Sequence, residues 1–178
     1  MPNSAARLKA AIRDVQDFPK PGIIFKDITP ILSDGKLLRL AMDAFVEYCS
    51  DYAVTKIAGI DARGFLFGAT VADRLGLGFV PIRKKGKLPY KTASLSYDLE
   101  YGSSAVEVHT DAFAPGERVA LIDDLLATGG TAAAAIKLIQ QCGATVAVAQ
   151  FLVELDFLNG RERLTPVPVT SIIHFDGE

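Results

Sequence analysis

Residues 119–131 limit what this chain can fold into more than any other stretch. Four apolar residues, Val119, Ala120, Leu121 and Ile122, read as a buried strand; Asp123 and Asp124 follow at its end. A small loop comes next, containing Ala127, Thr128, Gly129, Gly130 and Thr131, and it opens onto a helix-like run over 132–141. An apolar strand of this kind sets the two acids at the carboxyl edge of a parallel sheet, where open α/β folds bind ligands. Gly129 and Gly130 carry no Cβ, so the backbone there can approach an anion closely. The hydroxyls of Thr128 and Thr131, with the free N–H groups at the start of the helix, can cradle a phosphate. The acids suit neighbouring hydroxyls rather than the phosphate itself. Strand, acids and loop together describe a pocket for a sugar phosphate. Read alone, the same stretch also fits a strand–turn–helix whose acidic pair is merely solvated. Neither G-x-x-x-x-G-K-[ST] nor a G-x-G-x-x-G after a strand occurs, so the commoner nucleotide signatures are missing.

Around this unit the pattern alternates. Residues 8–15 suit an amphipathic helix, and 18–28 read as a loop that Pro19 and Pro21 keep from being helical. Residues 37–50 have helical apolar spacing. Strands are expected at 56–60, 79–82, 119–122, 145–153 and 169–173, with helices at 65–75 and 131–141. Repeated strand–helix–strand order implies an α/β fold, a mostly parallel central sheet flanked by helices. The 178 residues fit one compact domain spanning 1–178. Residues 83–110 interrupt the alternation and are too long for an ordinary connection. Within them, 94–99 and 105–109 can pair as a hairpin about Glu100, a candidate lid over the ligand face.

Two further groups of cations matter. Arg63 and Gly64 follow the strand 56–60 and open a helix, which makes a second anion site. Two such sites at the ends of parallel strands suit a substrate with phosphates at both ends; a surface ion pair is the alternative for Arg63. Arg83, Lys84, Lys85 and Lys87 form a basic run at the root of the lid. Such runs are commonly solvated, but a formal charge of −2 and the lack of interleaved aromatics argue against nucleic acid as partner. With 49% apolar and 22% charged residues the composition is ordinary for a globular protein. Two cysteines, Cys49 and Cys142, give neither a disulfide framework nor a metal cluster, so a reducing, cytoplasmic setting is expected. Neither a secretory signal nor a membrane-spanning run is read from the sequence, so no membrane partner is expected. His109 and His174 are isolated and read as structural, while Asp27, Asp34 and Asp98 have no assigned partner.

These motifs resemble the type I phosphoribosyltransferases. Residues 18–30, 61–68, 82–89, 99–102 and 152–155 are similar, more narrowly, to its adenine-specific branch. The resemblance implies a fold with an N-terminal hood (1–35), a flexible hairpin lid (83–110) and a motif for 5-phospho-α-D-ribose 1-diphosphate (PRPP) at 119–131. It implies purine salvage: adenine and PRPP give AMP and pyrophosphate. Ile24, Phe25 and Lys26 would form the adenine pocket, Phe25 stacking on the base while flanking backbone reads its edge, with Leu155 on the opposite face. Glu100 would handle the proton at purine N7. Arg63, counted with Glu100 as catalytic, would contact PRPP together with Arg83, Lys84 and Lys87. Asp123 and Asp124 would hold the ribose, and residues 127–131 the 5′-phosphate. Mg²⁺ would be held mainly by PRPP rather than by protein ligands, and a homodimer is implied. Two rivals remain: a 6-oxopurine phosphoribosyltransferase, and a non-catalytic regulator that senses PRPP. From the residues alone, Phe25, Ile24 and Leu155 read equally as core, and Glu100 as a solvated carboxylate. The resemblance also implies a cis Asp61–Ala62 peptide.

Overall fold

The computed structural model describes residues 2–98 and 103–177. Five parallel strands carry the fold: β3 (Lys56–Ile60), β4 (Gly78–Lys84), β7 (Arg118–Leu126), β8 (Thr145–Leu155) and β9 (Val169–Phe175). An antiparallel hairpin, β5 (Thr92–Asp98) and β6 (Ser103–His109), extends the sheet beyond β4. The seven strands lie in the order β5-β6-β4-β3-β7-β8-β9.

The strand period sorts side chains onto two faces. On β7, Val119 and Leu121 join one core cluster, while Ala120 and Ile122 join the other. Helix α5 (Gly130–Gln141) covers the first face through Ala134, Ala135, Leu138 and Ile139. Helices α3 (Gly35–Ser50) and α4 (Gly64–Leu75) cover the second, through Ala41, Met42, Phe45, Phe67 and Val71. Both faces of the central strands are therefore dry, which is why these strands read as unbroken apolar runs.

From β3 the chain steps to β4 on one side, and from β7 it steps to β8 and β9 on the other. The direction of winding thus reverses between β3 and β7. At such a reversal the connecting helices diverge to opposite faces and leave a crevice at the carboxyl ends of the strands. Register widens it. β3 pairs with β7 only as far as Gly59 opposite Ile122, whereas β7 continues along β8 to Leu126 opposite Glu154. Asp123 and Asp124 lie on this overhang, inside a strand four residues longer at its carboxyl end than the 119–122 read from the sequence.

The N-terminal segment differs most from the reading. Helix α1 (Pro2–Ala11) stops before Val15, and Arg13–Gln16 is a strand, β1, paired antiparallel with β2 (Ile24–Asp27). Each strand has four residues and shows no alternation, so neither carried a periodic signal; their pairing is a long-range fact. The loop is correspondingly shorter than 18–28. A short helix, α2 (Thr29–Ser33), was also missed, although Pro30 stands in its first turn, where a missing N–H costs nothing. Asp34 accepts from the N–H groups of Lys36 and Leu37 at 2.8 and 3.1 Å, capping α3. Asp27 accepts from the Thr29 N–H at 2.9 Å and pairs with Arg13. Both acids thus have partners that the sequence did not disclose; the side chain of Asp98 lies outside the described residues. Among the described residues no helix is long and apolar enough to cross a membrane.

Candidate active site

A cavity of about 620 Å³ fills the crevice. Its floor is the overhang of β7 and the loop beyond it: Asp123, Asp124, Ala127, Thr128, Gly129, Gly130 and Thr131. Asp61, Ala62 and Arg63 enter from the end of β3, Lys84 from β4, and Tyr97, Ser104 and Val106 from the hairpin. The Asp61–Ala62 peptide is cis, as the resemblance implied.

Close approach explains three of the glycines. A Cβ on Gly64, the first residue of α4, would stand 2.7 Å from the Ile122 carbonyl oxygen and 2.9 Å from the Asp123 carboxylate. Only glycine lets the start of α4 lie against the acids. Gly129 adopts φ +78, and its missing Cβ faces Gly160; a Cβ on Gly160 would overlap the Ala127 carbonyl oxygen. The short 3₁₀ segment Gly160–Leu164 therefore sits directly against the backbone of the Gly/Thr loop. Its neighbour Arg161 donates to the buried Glu154 at 3.0 and 2.6 Å and to the Val169 carbonyl at 2.9 Å, which anchors the segment to β8 and β9. The sequence reading missed this prop. Its one visible signal was the run Asn159, Gly160 beside charged residues.

Asp124 is buried and pairs with Arg63, whose Nε lies 2.6 Å from its carboxylate. Asp123 accepts from the Asp124 N–H at 2.9 Å. Burial pushes the Asp123 carboxyl well above the usual carboxylate range, and the adjacent charge of Asp124 adds to the rise. Burial raises Asp124 as well, against the pull of Arg63. With Asp124 buried, Asp123 half-buried, and Arg63 the one cation paired with them among the described residues, the acids are short of compensation. Hydroxyl donors entering the cavity would supply it.

The cations divide. Arg63 and Lys84 line the cavity. Arg83 does not: it donates to the Asp61 carboxylate at 3.1 Å and to the Lys87 carbonyl at 3.0 Å. The Lys87 and Leu88 N–H groups both donate to the buried Glu107 at 2.9 Å, so the basic turn is tied down to β6. Burial would raise the Glu107 carboxyl, but these N–H donors outweigh it and hold it below the usual range. Lys87 is thereby held beside the cavity rather than among its walls.

The expected base pocket lies to one side. Phe25 on β2 meets the Arg63 guanidinium 5.5 Å from its ring centre, which joins the hood strand to the cavity. Lys26 turns away: its amine pairs with Asp14 at 2.9 Å and lies 4.6 Å from the centre of the Phe175 ring. Phe175 is the register partner of Leu155, so Leu155 and the hood strand share one end of the sheet. Ile24 and Leu155 are partly buried. Glu100 lies outside the described residues. His174 pairs with Asp156 at 2.9 Å, beside Glu154. These three carry ligand atoms close together, but Glu154 already accepts from Arg161 and Ser171, and none of the three lines the cavity.

The profile of the phosphoribosyl transferase domain family matches residues 28–163. An adenine phosphoribosyltransferase of Nitrosococcus oceani is 56% identical over 169 residues, covering 95% of this chain and 99% of that protein. The crystal structure of adenine phosphoribosyltransferase from Thermoanaerobacter pseudethanolicus superposes with a TM-score of 0.94 at 48% identity, covering 96% of this chain and 99% of the other. The Saccharomyces cerevisiae enzyme, solved with an imino-altritol bisphosphate and adenine, superposes with a TM-score of 0.91 at 41% identity, over 97% and 99% of the two chains. The chain belongs to the phosphoribosyl transferase domain family, among its adenine phosphoribosyltransferases.

Proposed function

We propose that the chain transfers the phosphoribosyl group of PRPP to adenine, yielding AMP and pyrophosphate in purine salvage. The observation that carries this reading is the meeting of the Asp123–Asp124 pair, the Gly/Thr loop and Arg63 in one crevice at the switch point of the sheet. In this reading the acids accept from the two ribose hydroxyls, and the loop with the α5 N-terminus takes the 5′-phosphate. Arg63, released from Asp124 by the ribose, turns to the pyrophosphate together with Lys84; Arg83 and Lys87 reach it from the basic turn that Glu107 holds beside the cavity. The base slides between Phe25 and Leu155, with Ile24 and the Lys26 backbone at its edge.

Cleavage of the anomeric C–O bond leaves positive charge on C1 and the ring oxygen and negative charge on the departing pyrophosphate. No covalent nucleophile is needed. Cations already aimed at the leaving group stabilise that charge without reorganising. N9 of adenine attacks C1, while Glu100 holds or moves the proton at N7. Asp61, Asp123 and Asp124 give the cavity wall carboxylate oxygens, the kind of ligand a hard cation takes, and in this reading the cation is held mainly by PRPP. Bound with PRPP, Mg²⁺ supplies neutralisation of the pyrophosphate charge. We also propose a homodimer, on the family resemblance, and a cytoplasmic setting, which suits the free thiols Cys49 and Cys142.

The test is pyrophosphate release from PRPP and Mg²⁺ with adenine, hypoxanthine or guanine in turn. Adenine alone should support rapid turnover. Equal turnover of hypoxanthine would favour the 6-oxopurine reading, and tight PRPP binding without turnover the regulator.

A further inference from the structure

We propose that Tyr97 is a positioning residue that sets the direction of the Thr131 hydroxyl toward the substrate's 5′-phosphate. The Tyr97 and Thr131 hydroxyl oxygens lie 3.1 Å apart, and both residues line the cavity. This proposal rests on the reading of residues 127–131 as the phosphate seat.

Packing fixes where the phenol points. Tyr97 stands on β5, opposite Ser104 of β6, and shares with Leu95 the strand face packed against the core cluster that α5 covers. Thr131 is the second residue of α5, and its branched Cβ leaves few rotamers. The two side chains thus face each other across the cavity wall.

The chemistry follows from counting protons. Each hydroxyl has one hydrogen to donate and lone pairs to accept with. The 3.1 Å contact serves with either hydroxyl as the donor. A phosphate dianion accepts only, so Thr131 must turn its single hydrogen to the phosphate. The pair stays bonded only if the phenol then donates to Thr131. A phenol is the more acidic hydroxyl and suits the donor's part. Donation to Thr131 also polarises its remaining O–H toward the anion, because consecutive hydrogen bonds strengthen one another in a low-dielectric cavity. The lid strand and the phosphate loop are thereby joined through a reversible pair of hydroxyls. Phenylalanine would fill the same space without this effect.

Calorimetric titration of the full chain with ribose 5-phosphate, and separately with pyrophosphate, tests the relay. The variants are Tyr97→Phe, Thr131→Ala and the double substitution. Tyr97→Phe should weaken ribose 5-phosphate about three- to tenfold, leave pyrophosphate binding unchanged, and raise KM for PRPP with kcat and the adenine KM held. In the Thr131→Ala background the Tyr97 change should cost nothing further. Wild-type affinity in Tyr97→Phe would overturn the proposal. So would the same loss in the Thr131→Ala background, or an equal loss for pyrophosphate. If the unmodified chain binds pyrophosphate but not ribose 5-phosphate, the assignment of the loop fails, and the relay with it. That result is distinct from normal binding that survives the Tyr97 change.

Discussion

Asp123 and Asp124 face opposed demands: a buried carboxylate pair is expensive, yet ionised acids are the better acceptors for ribose hydroxyls. With its carboxyl raised by burial, Asp123 resists ionisation in the folded chain and ionises readily when unfolded. A raised carboxyl therefore subtracts stability as pH climbs from the ordinary aspartate range through its elevated value, and the cost persists above that. Asp123→Asn should accordingly unfold at a temperature equal to or higher than wild type at neutral pH, with the advantage vanishing below the ordinary aspartate range. Thermal melts across pH check this, and an Asn variant that melts lower at neutral pH contradicts it. Glu100 makes a different demand. If it handles the N7 proton, Glu100→Leu should lower kcat by roughly 10²–10⁴ with PRPP affinity little changed. Glu100→Gln should be milder, since an amide still meets N7. A raised adenine KM at unchanged kcat in both variants would reassign Glu100 to base recognition.

At the scale of elements, the Gly/Thr loop depends on a neighbour that makes no contribution to its sequence signature. Gly160 leaves no room for a side chain against Ala127, so Gly160→Ala must push the loop away from its seat. The Arg161 anchors to Glu154 and Val169 should preserve the fold. The expected result is an unchanged circular-dichroism spectrum with kcat/KM for PRPP down on the order of 10²-fold; full activity would show that the prop is passive. The lid invites a second check. Protease cleavage within residues 83–110 should slow when PRPP and Mg²⁺ are added, and equal rates with and without them would make the segment a passive loop. Elements with their own periodicity were legible in advance: 37–50, 56–60 and 65–75 fall within two residues of α3, β3 and α4 at each end. Elements defined by a distant partner were not. β1 and β2 have four residues each and exist through one another, and the helical reading of 8–15 failed where Val15 pairs opposite Phe25.

For the molecule as a whole, the strand–acid–loop unit was readable because each part is local: apolar run, two acids, two glycines, a helix start. The crevice it occupies was not, because it arises from the reversal of winding between β3 and β7 and from the register at Gly59 and Ile122. Likewise Arg83 and Lys87 read as equal members of a basic run with Lys84, but strand alternation and the Glu107 anchor set them apart. The account stands on the claim that this crevice holds PRPP with its ribose on the acid pair. Calorimetric titration of PRPP into Asp123→Asn/Asp124→Asn tests that claim most directly. Each of the two hydroxyls loses a charged acceptor, worth about 1.5–3 kcal/mol per bond, so the affinity should fall by at least about a hundredfold in a chain that remains folded. Wild-type PRPP affinity in the folded double variant would contradict the account.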